Sequence, residues 1–282
     1  MFKHSDFRDD VYKDAIDITG KKYSDYGMMW NELSKNTGIS KSILERYDDW
    51  YILDDGLYYY KDIGRIEELF MSELAFFCKV RCVDFLVAKN NGYLGIISKL
   101  YREKNKKYYM YSDFCKKYFN SISTSLGMFK IGTSISLGNE KSQVLMDDIF
   151  NMMSFDMFCG QWDREEYNFF FECDNDNNVR IAPLCDNGIA FQNCFVYASP
   201  FGEFSLEEDT IYRGNLPFIL SIEKDFYNKL SILLDIDIND ILINTCNKYG
   251  IKLNMEDSKK LLKYFDNRKQ AIDNTLKLVR KI

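Results

Sequence analysis

The chain has 282 residues, 46% hydrophobic and 28% charged, with a net charge of −6. That is an ordinary soluble globular composition, with room for two modest domains or one bilobed one. It excludes a membrane span, since no run approaches the roughly 18 apolar residues needed. The acidic balance argues against a nucleic-acid partner held by phosphate neutralisation.

The N-terminus, MFKHSDFRDDVYK, has no apolar core and so does not read as a signal peptide. It holds the only histidine, His4, which argues against zinc and against Ser-His-Asp or Cys-His catalysis. Carboxylates or a bound metal must then handle protons in any reaction. A short helix is expected from Ile39 to Tyr47, after the Thr37-Gly38 break. WYILDDGLYYYKD reads as a hairpin turning at Asp54-Asp55-Gly56. From Arg65 to about Val80, Ile66, Leu69, Phe70, Leu74, Phe77 and Val80 recur at three- and four-residue steps, which predicts an amphipathic helix. VDFLVAKNNGYLGIISKLY gives a second hairpin around Asn90-Asn91-Gly92.

After the basic REKNKKYYMY, the stretch GTSISLGNEKS is expected to be a Ser/Gly-rich loop capping the helix KSQVLMDDIFNMMSFDMF. It is not a P-loop, because Asn139 and Glu140 separate the second glycine from Lys141. On that helix Asp147 and Asp156 read as surface charges. Beyond residue 215 the pattern is helical: LPFILSIEKDFYNKLSILL, INDILINTCNKYG and MEDSKKLLKYFDNRKQAIDNTLKLVRKI. The eight cysteines contain no C-x-x-C pair and read as free thiols in a reducing compartment. The expected location is cytoplasmic, with export as an effector left open.

Chemistry concentrates in QWDREEYNFFFECDNDNNVRIAPLCDNGIAF, residues 161–191. Asp163 stands five residues before Asn168, and Asp186 opens an Asp-Asn-Gly turn after the run IAPLC. Singly, each is an ordinary loop residue. As an ordered set around two short strands they suit hard-oxygen coordination of Mg²⁺ and proton abstraction from an acceptor hydroxyl. The tract DNDNN, residues 174–178, reads as a hairpin tip, since no glutamate follows at EF-hand spacing. Lys61 ends the strand LYYYK and needs a carboxylate partner if it is buried. Glu73, twelve residues on, is one candidate; Glu67 and Glu68 are others, and Lys89 and Lys99 also fall on strands.

The order D-x-x-x-x-N, a short hairpin, then D-x-G, preceded by a strand lysine and a helix glutamate, resembles the protein-kinase-like fold. More closely it resembles the HipA-like kinases, and among them the short bacterial CtkA type. The matching stretches are LYYYK with FMSELAFF, GYLGIISKLY, and FCGQWDREEYNFFFE with RIAPLCDNGIAF. The arginine after the aspartate, D-R-x-x-x-N, follows the order of HipA and phosphoinositide kinases. The resemblance implies an α+β, bilobed fold: a β-rich N-lobe with one long helix over residues 1–112, and a larger helical C-lobe over 113–282.

It further implies an ATP- and Mg²⁺-dependent kinase that phosphorylates Ser or Thr of a protein, itself included, as a toxin or effector. In that scheme Lys61 binds phosphate with Glu73 as partner, Asp163 is the catalytic carboxylate, and Asn168 and Asp186 are metal ligands. Ser24 and Gly27, in TGKKYSDYG, fall in the candidate phosphate-covering loop. The sequence departs from the pattern twice: Glu165 takes the place of the usual histidine, and no G-x-G-x-x-G precedes the lysine strand. Those departures keep open a catalytically weak pseudokinase that binds a partner protein. A small-molecule or lipid kinase, or a nucleotidyl transferase, could use the same site. Residues 192–214 occupy the place of an activation segment, with Ser199 or Thr210 as the expected phosphorylation site. Oligomeric state is not legible.

Overall fold

The computed structural model describes residues 6–7, 10–22, 50–54, 56–62, 65–101, 105–120, 125–161, 164, 169–185, 190–191, 196–206 and 216–281. The predicted helix at 39–47 lies outside them. The N-terminal region begins with β1 (Asp6–Phe7), the short α1 (Val11–Asp14) and β2 (Ile16–Asp17). Then come β3 (Trp50–Leu53), β4 (Gly56–Lys61), the helix α2 (Arg65–Phe77), β5 (Phe85–Asn90) and β6 (Tyr93–Lys99).

Strands β2 to β6 form one sheet in the order β2-β5-β6-β4-β3. Both predicted hairpins are present, with Leu53 opposite Gly56 in one and Asn90 opposite Tyr93 in the other. The second turns through Asn91 at φ 49° and Gly92 at φ 85°. These are the paired positive φ values of a tight hairpin turn, and they explain why Asn-Gly stands there. Helix α2 ends at Phe77, one turn short of the predicted Val80, with Lys79 at φ 57° closing it.

The remaining chain is mostly helical. Strand β7 (Lys107–Tyr109) leads into α3 (Tyr111–Phe119), α4 (Leu126–Leu137) and α5 (Asn139–Cys159). Strands β8 (Phe171–Cys173) and β9 (Val179–Ile181) form a hairpin, and β7 adds to its edge in the order β7-β8-β9. A separate hairpin joins β10 (Val196–Ser199) to β11 (Gly202–Ser205). The C-terminal part contains α6 (Leu216–Ile222), α7 (Lys224–Ile232), α8 (Ile238–Tyr249), β12 (Ile251–Lys252) and α9 (Met255–Val279). This is an α+β architecture, as expected. Among the described residues no helix is long and apolar enough to cross a membrane.

Three local expectations are corrected. The stretch GTSISLGNEKS is not a loop: its first six residues complete α4, and α5 starts directly after Gly138, at φ 84°. Its hydroxyls are satisfied inside the helix corner, where Thr133 and Ser142 share a 2.7 Å hydrogen bond. Gly132 is there because a Cβ would meet the Phe119 ring at 2.9 Å, so α3 and α4 approach closely through it. Second, the run LPFILSIEKDFYNKLSILL is two helices rather than one, broken at Glu223, whose carboxylate takes an ion pair from Lys130 at 2.6 Å. Third, Asp156 is fully buried. The far half of α5 is enclosed on all sides, since Met152 to Cys159 are all buried, so helical periodicity could not mark an outer face there. Asp147, nearer the start of α5, does lie at the surface, paired with Lys229 at 2.6 Å.

The largest core runs from α2 through α5 to α9. Phe70 of α2 meets Phe191 and Phe265 at ring distances of 5.7 and 5.8 Å. Tyr111, Phe114, Phe129, Phe171 and Phe201 stack around the base of the β8–β9 hairpin. Two smaller clusters serve the N-terminal sheet, one on each face. The cysteines behave as predicted: those described are free thiols, four of them buried.

Candidate functional site

Lys61 is the last residue of β4, opposite Ile96 of β6, with its side chain largely enclosed. Its ammonium pairs with Glu68, on the first turns of α2, whose carboxylate is completely buried. The expected Lys61–Glu73 pair is therefore not formed. Glu73 lies five residues further along α2, rotated by roughly 140° at 3.6 residues per turn, and faces away from β4. It accepts hydrogen bonds from the Lys248 ammonium and, at 2.9 Å, from the Tyr249 hydroxyl of α8. A buried carboxylate must be paired, and Lys61 fulfils that need for Glu68.

Ser24, Gly27, Asp163, Asn168 and Asp186 lie outside the described residues, as do Glu165 and Thr210. Arg164 and Cys185, the chain neighbours of Asp163 and Asp186, are described, and they belong to one hydrogen-bonded frame. Arg164, next to Asp163, is wholly enclosed. Its Nε and Nη2 donate to the two oxygens of Asp156 at 2.9 and 2.6 Å. Its Nη1 donates to the carbonyl of Cys185, the residue before Asp186, at 3.4 Å. Tyr197 of β10 donates its hydroxyl to Asp156 at 3.3 Å. Burial pushes the Asp156 carboxyl up, against the opposing pull of Arg164. Burial also works against the Arg164 charge, but Asp156 outweighs it and keeps the guanidinium firmly protonated.

Further bonds fix the flanks of the same loops. Gln161 donates its backbone N–H to Asp156 O at 2.9 Å. Phe191 donates to Cys159 O at 2.8 Å, and that carbonyl also accepts the Tyr264 hydroxyl at 3.0 Å. Leu184 links back to the segment after α2: its N–H donates to Arg81 O at 2.8 Å, and its carbonyl accepts from Val83 N–H at 3.0 Å. Arg81 in turn donates to Glu172 of β8 at 2.6 Å. Leu184 and Cys185 are thus tied both to Arg164 and to the segment that follows α2.

The DNDNN tract forms the tip of the β8–β9 hairpin, as predicted. Asp174 there accepts from the N–H groups of Asp176 and Asn178 and from the Asn178 side chain, which holds its carboxyl below the usual range. Ser199 sits in the β10–β11 turn and accepts the Phe201 N–H at 3.2 Å. Among the described residues, no group of three or more His, Cys, Asp and Glu side chains is arranged to hold a metal ion.

The sequence reading placed Asp156 on the surface and gave Arg164 no role. The signal available was the D-R pair itself: an arginine between two acidic residues, just past a mostly apolar helix end whose one charge is Asp156, must find that carboxylate or stay in water.

No family model matches the sequence, and no curated protein matches it. The structure is similar to the Helicobacter pylori proinflammatory kinase CtkA, with a TM-score of 0.59 and 16% identity over 83% of this chain and 91% of that one. It also resembles HipA from the HipA–HipB–operator DNA complex of Shewanella oneidensis MR-1, with a TM-score of 0.49 and 11% identity. That match covers 80% of this chain and 59% of HipA. The chain shares the fold of the kinase CtkA.

Proposed function

We propose that this chain is an ATP- and Mg²⁺-dependent phosphotransferase that moves the γ-phosphate to a Ser or Thr hydroxyl of a protein. One observation carries the reading: a strand lysine is held by a fully buried helix glutamate, in a fold shared with a kinase. In phosphoryl transfer this pair fixes a cation on the α/β phosphates. Glu68, not Glu73, takes the partner's role.

The contact between Arg164 and the Cys185 carbonyl supports the second half of the site, because it joins the chain neighbours of Asp163 and Asp186. Asp163 accepts the proton of the acceptor hydroxyl and orients its oxygen. Asn168 and Asp186 supply carboxamide and carboxylate oxygens, a donor set that fits Mg²⁺. When bound, Mg²⁺ neutralises the β- and γ-phosphate oxygens. Lys61 adds positive charge from the N-terminal region, and the Arg164–Asp156 pair keeps the loop next to Asp163 from shifting. Arg164 itself is sealed from solvent, so it supplies no charge to substrate.

The test is incubation with Mg²⁺ and γ-labelled ATP beside Asp163→Asn and Asp186→Asn. Label on wild-type protein or on an added protein substrate, lost by orders of magnitude in both variants, is expected. Label from α-labelled ATP instead would make the chain a nucleotidyl transferase. Glu165 favours a second reading, a pseudokinase, because its charge beside Asp163 opposes an incoming phosphate. ATP binding without any transfer, indifferent to Asp163→Asn, would establish that alternative.

A further inference from the structure

Helix α2 carries Glu68, and it is also held by the C-terminal part of the chain. Helix α8 packs against α2. At its end Gly250 takes a left-handed conformation, φ 61°, and turns the chain into β12. Strand β12 pairs with β1, placing Ile251 opposite Phe7 and Lys252 opposite Asp6. Phe7, Tyr249 and Ile251 then close a cluster with Ile66 and Leu69 of α2 and with Val83 and Phe85 beyond it. Above this cluster one Glu73 oxygen accepts from both Lys248 and Tyr249. Ser72, beside Glu73, donates to Val83 O at 3.0 Å.

We propose that Glu73, Lys248 and Tyr249 are positioning residues, forming a clamp through which the α8–β12 corner and β1 hold α2 in the rotation that keeps Glu68 on Lys61. The inference rests on the functional reading above only for its effect on nucleotide. Glu68 and Glu73 lie on different faces of α2, about 7.5 Å apart along its axis at 1.5 Å per residue. A roll or slide of α2 that releases Glu68 must therefore also break the Glu73 contacts.

The parts of the clamp are unequal. Lys248 is half exposed, so its ion pair alone contributes little. Tyr249 is buried, and its hydroxyl has Glu73 as an acceptor. Burial pushes the Tyr249 phenol up to about 12, so it remains a donor throughout the neutral range. The hydroxyl and the apolar cluster beneath it carry most of the restraint.

The experiment compares amide hydrogen exchange over residues 65–77 in the full chain, for wild type, Tyr249→Phe, Lys248→Ala and the double variant. The KM for Mg²⁺-ATP is measured on the same proteins. Tyr249→Phe keeps the ring and the apolar cluster, so it folds if the cluster is what packs there. The double variant is expected to exchange about tenfold faster in 65–77 with no change in 139–159. Its KM is expected to rise by about tenfold with kcat less affected, and Lys248→Arg to retain wild-type values. Unchanged exchange in 65–77 overturns the clamp. Faster exchange with unchanged KM overturns the positioning role and leaves a merely structural contact. If wild type neither binds nor turns over ATP, the functional reading fails, and the exchange comparison alone decides whether the clamp exists.

Discussion

Two ion pairs stand in two regions of this molecule and are built differently. Lys61–Glu68 joins the end of an inner strand of the N-terminal sheet to a helix, and its lysine keeps 19% of its side chain accessible. Arg164–Asp156 is sealed, with neither side chain accessible, and a tyrosine and a backbone carbonyl add further hydrogen bonds. A sealed pair is costly to assemble and costly to break from one side, so it serves to fix a loop. A partly accessible lysine can take a second anion while it keeps its carboxylate, so it suits a ligand. The same charge chemistry thus supports a rigid frame in one region and an adjustable contact in the other.

That difference is open to test by substitution. Arg164→Leu strands the Asp156 carboxylate in the core and is expected to destabilise the fold by about 3–5 kcal/mol, read as a lowered urea midpoint. Adding Asp156→Leu removes the stranded charge, and recovery of most of that loss would sharpen the assignment. A single variant no worse than the double one would break it. Phe171→Ala, in the aromatic stack under the hairpin, is expected to cost about 3–5 kcal/mol as well, since a large cavity opens where four rings meet. Glu68→Gln keeps an acceptor for Lys61 while removing the charge, so its stability loss is expected to be about 2 kcal/mol. Its turnover loss is expected to be roughly 10²-fold, because the phosphate-directed cation is no longer fixed. A stability loss smaller than that of Arg164→Leu, with collapsed turnover, separates the adjustable pair from the frame. Lys260→Ala removes an exposed i,i+4 pair with Glu256 and is expected to leave the melting temperature unchanged.

Much of this arrangement is legible in the residues. Asp54-Asp55-Gly56 and Asn90-Asn91-Gly92 mark both hairpins because such residues favour tight turns, and the positive φ values of Asn91 and Gly92 require them in the second. The apolar steps from Ile66 to Phe77 mark α2. What they do not mark is its phase toward β4: Glu68 and Glu73 flank the same apolar stripe, and only the packed helix decides which meets Lys61. Asp156 misleads for a related reason. Sequence assigns charges to surfaces, whereas its partner Arg164 lies eight residues away across a turn, and the pair becomes visible only once that turn closes. The Ser/Gly stretch at 132–142 reads as a loop because glycine weakens helices by about 1 kcal/mol. The glycine itself has a steric reason inside α4: Phe119 lies where a side chain on Gly132 would stand.

The central claim is that Lys61, from one region, and the acidic loops framed by Arg164, from the other, act on one nucleotide. The most direct measurement is calorimetric titration of ATP with and without Mg²⁺, on wild type and on Lys61→Met. The account predicts Mg²⁺-dependent binding to wild type, weakened by about tenfold or more in Lys61→Met, as expected for losing a charge-assisted contact. No ATP binding, or binding indifferent to both Mg²⁺ and Lys61, would contradict it.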